Sequence, residues 1–138
     1  MSTVAKRRTT ISAGKDWQPT EEQEQAAIFE WVRIMQSQYP ELSLLHHIPN
    51  GGYRAPATAA KLKAQGVKAG VPDLCLPVAR GGWHGLYIEL KRRQGGKLSP
   101  NQTDWLAELE YQGYRAVVAH GAEEACDIIL RYLAEVEQ

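Results

Sequence analysis

Two strand-forming segments on either side of a glycine pair constrain the fold of this chain more than any other feature of its sequence. Residues 73–78 and 86–91 have the apolar character of strands, and Arg80-Gly81-Gly82 between them is typical of a tight turn. Paired positions in an antiparallel hairpin have a constant sum, and 81 is the midpoint of 73 and 89. The hairpin is therefore predicted to place Asp73 opposite or close to Glu89.

Lys91 joins the two carboxylates, because it lies two positions after Glu89 and projects from the same face of the strand. Two carboxylates a few ångströms apart repel each other, which raises the pKa of one of them. A divalent cation such as Mg²⁺ or Mn²⁺ would relieve this repulsion and could activate water against a phosphate ester. An Asp/Glu/Lys ion-pair network on a half-exposed hairpin is the alternative explanation, since such spacing also arises by chance.

The remaining segments predict one domain with a mixed α/β layer architecture. Residues 1–19 are polar, basic and without periodicity, which predicts a flexible arm before a single domain at 20–138. Further strands are expected at 44–48 and 114–119, and Pro77 is expected to lie at an edge or a bulge of its strand. Helices are expected from Pro19-Thr20 to about Tyr39-Pro40, from Pro56 to Gln65, from Ser99-Pro100 to Gly113, and from Ala122 to Val136.

Charge is unevenly distributed along the chain, although its formal net charge is zero. Residues 54–97 contain nine Lys and Arg side chains against two acids, a balance of +7, and the two acids are Asp73 and Glu89. Such a basic block is more consistent with a surface that faces phosphates than with a solvated surface that has no partner. The candidate phosphate contacts in the block are Arg54, Lys61, Lys63, Lys68, Arg92, Arg93 and Lys97.

The few cysteines and the short apolar runs of the sequence indicate its cellular location. Cys75 and Cys126 lie far apart in apolar settings, which is typical of reduced thiols in a cytoplasmic protein. No apolar run approaches the roughly 18 residues of a membrane span, and no apolar stretch follows the basic residues 6–8 as it would in a secretory signal. We therefore expect a cytoplasmic protein without a membrane partner.

The arrangement of Pro72-Asp73 and Glu89-Leu90-Lys91 resembles the motif of the PD-(D/E)XK nuclease superfamily. Other stretches resemble, more specifically, its VRR-NUC family, the virus-type replication and repair nucleases. The similarity runs from about residue 20 to residue 133. The stretches that carry it are 20–25 in the first helix, 48–54 with an Asn-Gly-Gly loop, 66–74 leading to the aspartate, and 98–102 followed by Gly113-Tyr114.

The resemblance implies a restriction-endonuclease-like α/β core that hydrolyses DNA phosphodiesters with Mg²⁺ or Mn²⁺. Asp73, Glu89 and the Leu90 carbonyl would then bind the metal, and Lys91 would be the catalytic lysine. Glu21 would approach the metal from the first helix, although other acids of that helix, Glu22 and Glu24, are also available.

Two more site residues are implied by the same resemblance. Gln102 would line the site from the helix that follows the lysine, with helix capping or an ordinary surface position as the alternatives. Asn50 would contact DNA from the Asn-Gly-Gly loop, which could also be an ordinary turn. Of the adjacent histidines, His46 and His47 point to opposite sides of a strand, so at most one of them is expected to face the cleft.

The resemblance further implies structured DNA as the partner: four-way junctions, flaps or other branched intermediates, in a bacterial or phage-infected cell. A symmetric homodimer would suit a two-fold symmetric junction. A catalytically silent nucleic-acid-binding module with the same fold is the alternative, but such a module needs no acidic cluster facing phosphates. A protein-interaction domain with a surface ion network is a second alternative, and the basic block argues against it.

Overall fold

A four-stranded sheet forms the centre of the computed structural model, which describes residues 17–50 and 54–135. The strands lie in chain order, with antiparallel pairing between the first three and parallel pairing between the last two. They are β1 (His46–His47), β2 (Leu74–Leu76), β3 (Leu86–Lys91) and β4 (Arg115–His120). The sheet is therefore mixed, as the sequence predicts.

Helices flank the sheet in the positions expected from the sequence. The α-helices of the described residues are α1 (Glu21–Met35), α2 (Pro56–Ala64), α3 (Pro100–Tyr111) and α4 (Ala122–Ala134). The strand predicted to begin at residue 44 is shorter than expected, because a 3₁₀ helix occupies Pro40–Leu44. Proline suits the first turn of such a helix, since the missing N–H would have no partner there.

Two capping boxes fix where α1 and α3 begin. The Thr20 hydroxyl accepts a hydrogen bond from the Gln23 backbone N–H at 3.1 Å, and the Gln23 side chain accepts one from the Thr20 N–H at 2.9 Å. Ser99 and Gln102 form the same reciprocal pair at the start of α3. Both boxes satisfy N–H groups that a helix leaves without an internal partner.

The apolar core lies on the sheet face that α1 and α4 cover. Ile28 of α1 and Ile129 of α4 are fully buried against Leu74, Ile88 and Leu90 of the sheet. Because side chains alternate along a strand, the residues of β3 between and after these apolar positions point to the opposite face. The polar residues of β3 are thereby directed toward the layer that contains α3.

The β2–β3 hairpin closes at the predicted glycine pair. Gly81 and Gly82 have φ angles of +57° and +85°, and the flanking residues Arg80 and Trp83 form a bridge, as in a two-residue turn of the primed type. The arms are unequal: Leu76 pairs with Leu86, so the arm that contains Pro77 has one more residue than the arm that returns. The proline lies at this irregularity, outside the strand, as expected.

The last residues of the predicted arm contact the loop that follows β3. Gln18 exchanges two hydrogen bonds of 3.0 Å with the backbone of Gln94, in the loop that follows β3. Residues 1–16 of the predicted arm lie outside the described residues. In the part of the chain that the structure describes, no helix is long and apolar enough to cross a membrane.

Candidate functional site

The end of the hairpin brings the two predicted carboxylates together. Leu74 pairs with Ile88, and one further step in that register places Asp73 beside Glu89. Asp73 Oδ2 accepts a hydrogen bond of 2.8 Å from the Leu90 backbone N–H. The Leu90 N–H faces the β2 side of β3, and the regular backbone pairing of β2 begins only at Leu74. The Asp73 carboxylate therefore accepts the hydrogen bond that a β2 carbonyl would otherwise accept.

Gln102 connects the catalytic lysine predicted from the sequence to one of the carboxylates. Lys91 Nζ donates to Gln102 Oε1 at 3.1 Å, and Gln102 Nε2 donates to Glu89 Oε1 at 2.9 Å. Lys91 Nζ also lies 3.7 Å from Glu89 Oε1. The same Gln102 closes the capping box of α3. Both roles that the sequence suggested for this residue are therefore present, helix capping and lining of the site.

Glu89 occupies an electrostatically unfavourable position. It is 3% exposed, and burial raises the pKa of its carboxyl from 4.5 to about 8, with a further rise from the charges of Asp73 and Glu21. Lys91 acts in the opposite direction. Glu89 Oε2 is buried and has no hydrogen-bond partner among the described residues. A buried carboxylate oxygen without a partner is a costly arrangement unless another group binds it.

The donor set fits a divalent cation, which residues of this type bind through oxygen. The unpartnered Glu89 Oε2 and the adjacent Asp73 carboxylate supply hard anionic oxygens. The N–H and C=O of one strand residue point to the same side of the strand, so the Leu90 carbonyl faces the side on which its N–H meets Asp73. These are the three groups that the sequence resemblance implies as metal ligands.

Glu21 is not drawn into the same cluster. It is the exposed first residue of α1, and its charge reaches Glu89 strongly enough to contribute to the raised pKa of that residue. Within residues 17–50 and 54–135, however, no three His, Cys, Asp or Glu side chains gather closely enough to hold an ion. Metal binding by Glu21 remains a prediction, whereas the pairing of Asp73 with Glu89 is present in the structure.

Glu24 has a structural role that the sequence did not reveal. Its side chain is 1% exposed and accepts hydrogen bonds from Ala122 N at 2.6 Å and from Arg93 Nε at 3.0 Å. It therefore caps α4, whose own N-cap residue, Gly121, has no side chain to do so. The glycine at the N-cap position was the available sequence signal, because the first N–H groups of a helix need an acceptor and a glycine side chain cannot supply one. The neighbouring Glu22 is exposed.

The predicted DNA contacts separate into two groups. One group borders a groove between α2 and α3, and Lys61 lies exposed on the same helix α2. The other follows β3, where Arg92 and Lys97 are exposed. Arg93 is exposed as well, and its Nε is paired with the buried Glu24, so its role as a phosphate contact stays a prediction. The predicted contacts that border the groove are Asn50, Arg54, Lys63 and Lys68.

His47 contacts the backbone carbonyl of Asp73. His47 Nδ1 lies 2.8 Å from the Asp73 carbonyl oxygen, which also accepts the Ile48 N–H at 2.7 Å. Because a carbonyl oxygen only accepts, the His47 proton resides on Nδ1. His46 is exposed and contacts the Leu44 carbonyl instead. The only sequence signal for the contact of His47 with Asp73 was the place of His47 on a predicted strand of the same sheet.

Comparisons with known proteins agree with this geometry. The family model of the VRR-NUC domain matches residues 1–123. A solved structure described as a VRR_NUC domain protein is 34% identical in sequence and has a TM-score of 0.75, with 88% of this chain and 93% of that chain covered. No curated protein matches the chain. The matched length and the structural likeness together show that the chain belongs to the VRR-NUC domain family of nucleases.

Proposed function

We propose that this protein is a metal-dependent endonuclease that hydrolyses phosphodiester bonds of DNA at the Asp73–Glu89–Lys91 site. The observation that carries the proposal is the buried Glu89 oxygen without a partner, next to a second carboxylate. Such an arrangement costs folding free energy, and a purely structural ion pair would not need it. A bound cation would offset this loss of folding free energy, because it would interact favourably with both carboxylates.

The residues of the site have two kinds of role in the proposed reaction, metal binding and positioning of the reacting groups. Asp73 and Glu89, with the Leu90 carbonyl, would hold the ion, which when bound polarises a phosphate oxygen and lowers the pKa of water. Lys91 is fixed by its hydrogen bond to Gln102, so its ammonium is held beside the carboxylates rather than free in solvent. It would orient the attacking water or balance the negative charge that develops on the phosphate.

DNA as the substrate is supported by the charge of the surrounding segments. The only acids among residues 54–97 are the two site carboxylates, while nine Lys and Arg side chains accompany them. Cations near a phosphate backbone increase affinity and association rate. Branched or flapped DNA and a symmetric dimer belong to the proposal as well, and both rest on the likeness of the sequence to its family.

Cleavage of labelled DNA tests the proposal directly. Four-way-junction, flap, single-stranded and linear duplex substrates are incubated with Mg²⁺, Mn²⁺ or EDTA. We expect wild-type protein to cut in either metal and not in EDTA, and we expect Asp73→Asn and Lys91→Ala to be inactive. Asp104→Asn, an exposed carboxylate on α3, is the matched control and should retain activity.

The outcomes separate the proposal from its alternative. If wild type cuts none of the four substrates but binds DNA with steep salt dependence, the protein is a binding module. If Asp73→Asn cuts as well as wild type, the reaction does not take place at this site. The molar mass in solution, with and without junction DNA, tests the dimer separately.

A further inference from the structure

A groove between α2 and α3 lies beside the proposed active site and is not used by the reaction described above. It encloses about 780 Å³, within the range of sites that hold small ligands. We call it the α2–α3 groove and define it by six of its lining residues: Arg54, Leu62, Lys63, Val67, Lys68 and Trp105. A second cavity of about 490 Å³ shares Val67, Lys68 and Trp105 with it.

One wall of the groove is formed by an aromatic side chain that is not part of the apolar core. Trp105 is half-buried, and within the described residues it lies outside the cluster of apolar side chains that packs around the sheet. Leu62 and Val67 complete an apolar lining. The helix α2 that forms one side has no buried residue, so packing of the domain does not account for this surface.

Positive charge surrounds that apolar lining. Arg54, Lys63 and Lys68 border the groove, and no carboxylate among the described residues does so. An aromatic wall within a cationic border is the combination by which proteins bind single-stranded nucleic acid, with bases stacked on the ring and phosphates held by the cations. Within a duplex both faces of each base are already stacked, so only an unpaired or extruded base could use Trp105.

The groove is joined rigidly to the reacting groups. Asn101, which borders it, is the chain neighbour of Gln102, whose amide contacts Glu89 and Lys91. Gly70, three residues before Asp73, packs its backbone directly on Asn101, where an added Cβ would lie 2.6 Å from the Asn101 carbonyl carbon. A nucleotide in the groove would therefore be held at a fixed position relative to the scissile phosphate.

We infer that the α2–α3 groove binds one unpaired nucleotide of the DNA substrate, with its base against Trp105 and its phosphates on Arg54, Lys63 and Lys68. The position of the groove would direct cleavage to places where duplex meets single strand. The link to cleavage rests on the proposed function, whereas binding of the base is measured without it. Asn101 also borders the groove and would offer its amide to the edge of the base.

Binding by fluorescence anisotropy in EDTA tests the inference without any reaction. The probe is a labelled duplex with a short single-stranded thymidine extension, and the reference is the same duplex with an abasic extension. We expect wild type to prefer the base-containing probe, and we expect Trp105→Ala to reduce that preference about 5- to 150-fold. Trp105→Phe should largely restore it, because a ring is still present.

Two further variants keep the result interpretable. Tyr111→Ala removes an 85% exposed aromatic ring from the far end of the same helix and should leave the preference unchanged. Ala59→Leu narrows the groove from an exposed helical position without adding an aromatic ring, and it should abolish the preference even if Trp105→Ala does not fold. Circular dichroism establishes the folding of each variant.

Defined results overturn the inference. Equal affinity of wild type for base-containing and abasic probes would do so, as would a preference that survives Ala59→Leu. Self-association without DNA that Trp105→Ala abolishes would show instead that the groove is an interface between copies. A base preference in a protein that cuts no substrate would support the groove and refute the proposed function, while cutting without a base preference would do the reverse.

Discussion

Lys91 Nζ donates a hydrogen bond to Gln102 Oε1, and that oxygen is also the acceptor of the α3 capping box. The lysine is thus positioned by a group whose own place is fixed by the start of a helix. The amide of the same side chain reaches Glu89. Assembly of the site and formation of the first turn of α3 are therefore linked through one residue.

Substitution of Gln102 should separate positioning from stability. In Gln102→Ala, both Lys91 and Glu89 lose a partner, and we expect the rate of cleavage to fall about 10- to 100-fold, as for other groups that orient metal ligands. Ser99→Ala is the control, because it removes the cap and leaves the Gln102 contacts with the site. It should cost about 0.5–2 kcal/mol in urea unfolding. Equal rates for the two variants would show that the glutamine is only a cap.

The free energy of unfolding of the metal-free protein should fall as the pH rises. The pKa of Glu89 is about 8 in the folded protein against an ordinary value of 4.5, so between these values the folded state holds a proton that the unfolded chain has released. The folded state then binds more protons than the unfolded state, and raising the pH favours unfolding. The stability contributed by the protonated carboxyl is complete below pH 4.5 and is lost as the pH approaches about 8.

Urea unfolding in EDTA across this pH range measures the effect. Glu89→Gln is the reference, because its amide does not ionise, and other titrating groups cancel in the difference between the two proteins. We expect wild type to lose stability relative to Glu89→Gln toward pH 8. Mg²⁺ should reverse the loss in wild type, since an ion that binds only the folded state stabilises it by mass action. A difference independent of pH would contradict the raised pKa.

Removal of the Glu24 carboxylate should destabilise the whole domain. Glu24→Ala leaves the Ala122 N–H without its acceptor and frees Arg93, and an unsatisfied donor alone costs about 1–3 kcal/mol. The thermal midpoint should fall accordingly, with partial recovery in Glu24→Gln. Glu22→Ala, at an exposed position of the same helix turn, should stay within about 0.5 kcal/mol of wild type. A neutral Glu24→Ala would mean that α4 finds another cap.

Close packing of Gly70 against α3 can be tested against a second glycine with a similar backbone. Gly66 and Gly70 have φ angles of +100° and +95°, so alanine is strained at both positions. Only at Gly70 does the added Cβ meet backbone atoms, 2.6 and 2.7 Å away on Asn101, whereas at Gly66 it meets open space. Gly70→Ala should lower both stability and cleavage, and Gly66→Ala should cost about 1–2 kcal/mol of stability with little loss of cleavage. Identical behaviour would refute the contact.

Local geometry explains why the hairpin was predictable from sequence. A glycine pair with positive φ closes the turn, and a period of two along each strand then determines which residues share a face. These two local rules bring Asp73 close to Glu89 and Lys91 at the end of the hairpin. The additional residue on the arm that contains Pro77 then places Asp73 on the same face as Glu89. The capping role of Gln102 was equally local, since its partner Ser99 lies three residues away.

The roles of Glu24 and Arg93 could not be predicted in this way. The partner of Glu24, Ala122, is 98 residues distant, and their contact depends on how α1 and α4 pack on the sheet. Three acids in the first turns of α1 look equivalent in sequence, and only burial distinguishes Glu24 from the exposed Glu21 and Glu22. Charge counting placed Arg93 among the predicted phosphate contacts, but it could not reveal the ion pair of Arg93 with Glu24, because the count takes no account of neighbours in space.

The unequal arms of the hairpin make the chemistry depend on a local irregularity at a distance from the reacting atoms. The turn at Gly81-Gly82 and the pairing of Leu74 with Ile88 are reconciled by one additional residue on the arm that contains Pro77. Regular pairing continued without interruption from the bridge between Arg80 and Trp83 would match Asp73 with Leu90 instead of Glu89. A one-residue slip would send the Asp73 carboxylate toward the apolar layer. The irregularity at Pro77, four positions along the chain from Asp73, therefore determines on which face of the hairpin the Asp73 carboxylate lies.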